Sequence, residues 1–241
     1  MRKNLKTNRV ARLGRLCTVA ASVLLPVCLS AFSLLSCESD AYEKGEGDYS
    51  LLRGELADVH VDSNKKAVCF DTDAGERITI DRPFTSSAFT TADSIYRLAL
   101  YYKAVDDAHA DVLSMNIVAV MRPHKMDSTD VKTDPVRLES MWLGQNRRYL
   151  NGSLYLMVGS IDQEDHPMQV IGVLNDTLVS NADGSRTQYM RLYHDQAGMP
   201  QYYSQRTYVS IPLQDVDADS ICLHMNTYDG IVTKRFSIVA D

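Results

Sequence analysis

From Leu51 to the C-terminus the apolar side chains of this chain recur at every second residue, not at the three-and-four spacing of a helix. A period of two puts neighbouring side chains on opposite faces of an extended strand, so each such run has a face to bury and needs a sheet in which to bury it. "LLRGELADVHV" (51–61) sets Leu52, Gly54 and Leu56 against Arg53, Glu55 and Ala57. "KAVCFDTDAGERITI" (66–80) reads as two strands around a turn at Asp73-Ala74-Gly75. "SIYRLALYYKAV" (94–105) sets Ile95, Arg97, Ala99 and Tyr101 against Tyr96, Leu98, Leu100 and Tyr102, and "DVLSMNIVAVM" (111–121) is a fifth strand. No stretch has the apolar stripe and caps of a helix. Five short strands in sequence predict a small OB-like β-barrel over 51–121.

A polar run with a proline near each end, "RPHKMDSTDVKTDP", interrupts the alternation, and 122–134 is read as a linker. Strands resume at "VRLESMWLG" and "YLNGSLYLMVGSI" and continue to "DSICLHMNTYDGIVTKRFSIV", a hairpin whose predicted two-residue turn is Asp229-Gly230. About seven strands at this spacing predict a Greek-key-type β-sandwich over 135–241. The fold class is therefore all-β, a five-stranded barrel followed by a seven-stranded sandwich. On the last hairpin Ile221, Leu223 and Met225 should share one face, with Cys222 and His224 on the other.

The N-terminus obeys different rules. Residues 2–15 carry Arg2, Lys3, Lys6, Arg9, Arg12 and Arg15 and no acid, and Leu16–Leu35 carries no charge. Basic region, apolar region and small-residue end are the layout of a signal peptide, here 1–36. Its end, Leu34-Leu35-Ser36-Cys37, resembles a bacterial lipobox, which implies a diacylglyceryl thioether on the Cys37 thiol and cleavage just before it. Each buried methylene contributes about 0.8 kcal/mol, so two or three acyl chains anchor a protein to a membrane stably. The acidic stretch "ESDAYEKGEGDYS" that follows reads, with Cys37, as a flexible tether over 37–50. Glu38-Ser39-Asp40 loosely resembles the acidic signal that carries some lipoproteins across an outer membrane. The expected place is the outer membrane, facing outward, with its periplasmic face as the alternative.

The whole chain has 25 basic and 31 acidic residues. The six basic residues of the signal leave with it, so 19 stand against 31 in the mature chain, a net charge of −12. Nucleic acid, which is bound by basic patches, is excluded as a partner. Of five cysteines, Cys17 and Cys28 lie in the signal and Cys37 takes the lipid. Cys69 and Cys222 fall in different predicted domains and are read as unpaired apolar residues.

Motifs of catalysis are missing from the sequence: there is no GxSxG elbow, P-loop or HExxH. Cys222 and His224 supply only two ligands, and Asp215-x-Asp217-x-Asp219 lacks the glycine and glutamate that a calcium loop needs at its sixth and twelfth positions. No cofactor, no metal and no enzymatic activity are expected. Aromatic residues near the sandwich loops are the better candidates for binding, since aromatic faces stack on sugars and anchor protein interfaces: Trp142, Tyr193, Tyr202, Tyr203 and Tyr208. The partner they would meet is a protein or a glycan, and the barrel face is a second candidate platform.

The order of lipobox, acidic tether, barrel, linker and sandwich, with "DPVRLESMWLG", "YLNGSLYL", "RLYHDQAGMPQYYSQRTYVSIPL" and "MNTYDGIVTKRFSI", resembles the NigD-like lipoproteins of gut and oral anaerobic bacteria. The resemblance implies an N-terminal OB domain and a C-terminal β-sandwich, a non-catalytic role, and the bacteriocin immunity proposed for the operon that named the family. A glycan-binding accessory role in nutrient uptake is the alternative. Some of the same anaerobes glycosylate Asp-Ser or Asp-Thr followed by Thr or an apolar residue. Asp93-Ser94-Ile95, Asp127-Ser128-Thr129, Asp176-Thr177-Leu178 and Asp219-Ser220-Ile221 fit. Ser128, in the polar linker, is the expected acceptor.

Overall fold

A computed structural model describes residues 52–126, 131–159 and 168–239. Among these, every regular element is a strand. β1 (Leu52–Val61), β2 (Lys66–Thr72), β3 (Arg77–Thr85), β4 (Ser94–Ala104) and β5 (His109–Ile117) close into a barrel in the order β1-β2-β3-β5-β4, with β4 returning to β1. All neighbours are antiparallel except β3 and β5, which meet in parallel over Thr79↔His109 and Ile80↔Ala110. The alternation is obeyed: Ala57, Val59, Leu98, Leu100 and Tyr102 fill the interior with Phe70 and Ile80. Phe70 meets Tyr102 edge-on, their ring centroids 5.0 Å apart.

The sandwich has eight strands. β6 (Ala119–Val120), β7 (Arg137–Leu143), β8 (Tyr149–Val158) and β11 (Tyr203–Pro212) form one sheet in the order β6-β11-β8-β7. β9 (Val170–Ser180), β10 (Arg186–Asp195), β12 (Ser220–Thr227) and β13 (Gly230–Ser237) form the other, β13-β12-β10-β9. Leu150, Leu154, Met190, Ile211, Ile221, Leu223 and Met225 are buried between them, and Cys222 and His224 take the opposite face of β12 as the alternation predicts.

Two details correct the sequence reading. The fifth barrel strand ends at Ile117, and Ala119–Val120, read as its last residues, pair in parallel with Val209 and Ser210 of β11 as an eighth sandwich strand. Alternation shows that a residue is extended but not which strand it pairs with. The last hairpin turns at Tyr228-Asp229, because Thr227 pairs with Gly230. Gly230, at φ +111°, is the first residue of the returning strand and not the second of the turn. Segment 122–134 is tied to the sandwich at its described residues, His124 bridging to Leu174 and Thr133 to His194.

On the barrel wall the Arg77 guanidinium donates to Asp71 at 2.7 and 2.8 Å, and His60 Nε2 lies 2.8 Å from the same carboxylate. Arg77 first, and His60 after it, hold the Asp71 carboxyl down at about 2. A depressed folded pKa adds stability that is present above the unfolded value near 3.9 and lost as pH falls toward 2. In an NMR titration, Arg77→Ala is expected to move the Asp71 midpoint up toward the ordinary value. An unmoved midpoint would show that Arg77 is not the cause.

Candidate functional site

The outer wall of the barrel is where the sandwich docks. Leu56 of β1, Ala99 of β4 and Val118 after β5 are buried there under Tyr208 of β11. Beside this seal lies Arg97, whose side chain is only 2% exposed. On an open barrel its alternation would point it to water. Here its guanidinium reaches both Asp73 oxygens at 2.7 Å, Asp58 at 3.3 Å, and Asn151 and Ser210 of the sandwich at 3.2 Å. It also lies 4.1 Å from the centre of the Tyr149 ring. Arg148 completes the cluster 2.9 Å from Asp58, and Asn151 donates to Asp73 at 2.6 Å. Two guanidiniums thus meet two carboxylates, as burial of charge requires.

The β2–β3 turn is drawn in as well. The Asn146 N–H donates to the Asp73 carbonyl at 2.7 Å. Gly144 permits the approach, since a Cβ there would stand 3.2 Å from the Asp73 carboxylate carbon.

Above this contact the two domains part to leave a cleft of about 670 Å³, within the size range of small-ligand sites. The barrel side is formed by Gly54, Glu55, Leu56 and Tyr101, and the sandwich side by Glu139, Ser140, Trp142, Ser153, Arg206 and Tyr208. Cross-strand register explains the sandwich side. Ser153 of β8 pairs with Ser140 of β7 and with Tyr208 of β11, and Trp142 pairs with Asn151 one step along the same sheet face. Glu139 is the extra residue of a β-bulge, because the register passes from Leu138↔Leu154 to Ser140↔Ser153. Its carboxylate accepts from Ser153 at 2.5 Å and Tyr155 at 3.1 Å and is paired with Arg206. Ser153 first, and the other donors with it, hold the Glu139 carboxyl below its usual range. Across the cleft the Tyr101 ring lies over Gly54, a Cβ at which would come within 3.1 Å of the ring. The neighbouring Tyr208 hydroxyl pushes the Tyr101 phenol up.

Of the aromatics singled out from sequence, the structure brings Trp142 and Tyr208 into this cleft. Tyr193 stands half-buried on β10, and Tyr202 and Tyr203, 75% and 58% exposed, lie at the start of β11 outside the cleft lining. Sequence reasoning missed Tyr101, Glu139, Arg206 and Arg97. Arg97 carried a signal, a cation in register with Ile95 and Ala99 on a strand whose other face is apolar. Glu139 carried none, because a bulge is not visible in alternation. Cys222 Sγ lies 3.8 Å from His224 Nε2, and His224 Nδ1 is 2.9 Å from the Thr233 hydroxyl. Asp217 and Asp219 are both taken up by Arg186, through its side chain and its backbone N–H. Cys69 and Cys222 are free thiols. Leu34, Leu35, Ser36, Cys37 and Ser128 lie outside the described residues.

Residues 116–238, half of the chain, match the family described as the NigD-like C-terminal beta sandwich domain. The chain belongs to the NigD-like family. The match begins at Asn116, just before β6, so the family's own boundary takes β6 into the sandwich as the strand pairing does. Several solved structures share the fold of this chain. A NigD-like immunity protein from Bacteroides caccae is 24% identical with TM-score 0.57, over 77% of this chain and 96% of that one. A Bacteroides vulgatus protein of unknown function, DUF1344, is 17% identical with TM-score 0.59, over 77% and 90%. A Bacteroides fragilis chain provisionally named a lipoprotein is 9% identical with TM-score 0.53, over 77% and 96%. No curated protein matches the chain.

Proposed function

We propose that this NigD-like protein is a non-catalytic binding module held at the cell envelope by a lipid on Cys37, and that its ligand enters the cleft between barrel and sandwich. The observation that carries the reading is the cleft itself, a concave site at a domain junction, lined by aromatic rings and a few polar groups fixed in place by other bonds. Glu139 supports the non-catalytic part. Ser153, Tyr155 and Arg206 already fill three of its about four acceptor positions, and its carboxyl sits low, where it is a poor general acid or base. The lipobox and the lipoprotein name of the Bacteroides fragilis chain support the anchor. Protection from a bacteriocin, which the family resemblance implies, is the second reading, and the immunity-protein name of the Bacteroides caccae chain favours it.

Cys37→Ala is expected to abolish acyl-chain labelling and leave a precursor of unprocessed size. A variant that still labels and fractionates like wild type would sink the anchor. For the cleft, a photo-crosslinking residue at Gln145, an exposed cleft position, should give an adduct of defined mass in the producing cell. The same residue at exposed Lys234 on β13 should give none. Equal adducts at both positions, or none at either, would reject the cleft as the ligand site.

A further inference from the structure

We propose that the cleft takes a short neutral oligosaccharide, stacked on Trp142 and held through a pair of adjacent hydroxyls by Glu139 and Arg206. The inference rests on the cleft reading above. Three features lead to it.

The first is the pairing of chemistry. Glu139 keeps about one acceptor position beyond those that Ser153, Tyr155 and Arg206 fill, and Arg206 offers further guanidinium N–H groups, side by side on one sheet face. A hydroxyl both donates and accepts, so two neighbouring hydroxyls match an acceptor and a donor fork at once. Tyr155, bonded to both Glu139 and Arg206 at 3.1 and 2.9 Å, fixes the pair in position before any ligand arrives.

The second is charge. The Glu139–Arg206 charges cancel, and Asp73 is neutralised by Arg97. Glu55 follows Gly54 on β1, but its carboxylate turns to the other face of the strand and accepts from the buried Tyr102 hydroxyl at 3.1 Å. An acidic sugar would meet the Glu139 carboxylate with Arg206, already paired to it, as the offsetting charge. A neutral polyol meets no such penalty, and Trp142, 38% exposed, presents the flat apolar surface against which a pyranose ring packs.

The third is what the cleft cannot accommodate. β7 is the edge strand of its sheet and borders the cleft, so an extended peptide could be expected to add to it. The bulge at Glu139 breaks the run of edge groups in the middle of the cleft, a device that blunts strand addition. The lining is interrupted by Ser140, Ser153 and the Glu139–Arg206 pair, so no continuous apolar groove exists for an amphipathic helix.

Trp142 is the single tryptophan of the whole chain, so tryptophan emission, excited apart from the tyrosines, reports on the cleft. The mature protein is titrated with gluco-, manno-, xylo- and galacto-oligosaccharides, with oligogalacturonate as the acidic counterpart, and with cationic and neutral peptides. At least one neutral series is expected to shift the emission saturably, with Glu139→Gln weakening it about tenfold, or 1.4 kcal/mol. Where Glu139→Gln fails to fold, Tyr101→Ala on the opposite wall serves, with a similar loss expected. A response confined to oligogalacturonate or to peptides would overturn the neutral-saccharide assignment and leave the cleft as a ligand site. No response to any probe, or a neutral response that both variants leave unchanged, would overturn the assignment too. The crosslink at Gln145 then tells separately whether the cleft reading stands.

Discussion

Arg97→Ala is expected to destabilise the protein by about 3–5 kcal/mol, the cost of leaving buried charges without their partner. Asp58 is 2% exposed at its side chain and keeps Arg148 and the Tyr149 hydroxyl, while Asp73, 18% exposed, keeps the Asn151 amide. Arg97→Lys should recover little. An ammonium cannot span Asp58, Asp73, Asn151 and Ser210 with one planar fork, nor stack on Tyr149 in the same way. Denaturant unfolding followed by Trp142 emission measures both. A midpoint that moves by less than about 1 kcal/mol in Arg97→Ala would mean that the apolar seal of Leu56, Ala99 and Val118 holds the domains together unaided.

Phe70→Ala, deep in the barrel, should cost about 3–5 kcal/mol through lost transfer energy and the cavity left beside Tyr102. Its value lies in where the loss is seen. Trp142 sits on β7 of the sandwich, outside the barrel core. If the Arg97 cluster makes barrel and sandwich one cooperative unit, the Phe70→Ala defect lowers the single transition that Trp142 reports. In an Arg97→Ala background the two substitutions should no longer add at Trp142, because a barrel that melts alone is only weakly visible from the sandwich. A double variant whose loss at Trp142 equals the sum of the two single losses would reject the cluster as the coupling element.

The balance between sequence and tertiary structure shows in particular residues. Period-two alternation is a local property of the backbone, so it put Leu98, Leu100 and Tyr102 on one face of β4, and Ile221, Leu223 and Met225 on one face of β12; in the structure both faces are buried. It could not say which strand pairs with which. Ala119–Val120 has the pattern of a strand continuing from β5, yet it leaves the barrel for β11, because the pairing is decided by surfaces far apart in sequence.

The site divides in the same way. Trp142 and Tyr208 were legible as aromatics with a face to offer, whereas Tyr193, Tyr202 and Tyr203 looked the same in sequence and lie elsewhere. Their difference is the register of β7, β8 and β11 and the presence of a barrel wall opposite. Arg97 is the sharpest case. Sequence alone determined that it shares a strand face with Ile95, Ala99 and Tyr101, opposite Leu98 and Leu100. Only the docked sandwich, which supplies Asn151, Ser210 and Tyr149 and excludes water, turned that arginine into a buried ion cluster and left the cleft beside it. Which residues share a face of a strand is set by backbone geometry within a few residues, but buried or exposed is set by what packs there, and that contact joins Arg97 to residues 54 and 113 positions away.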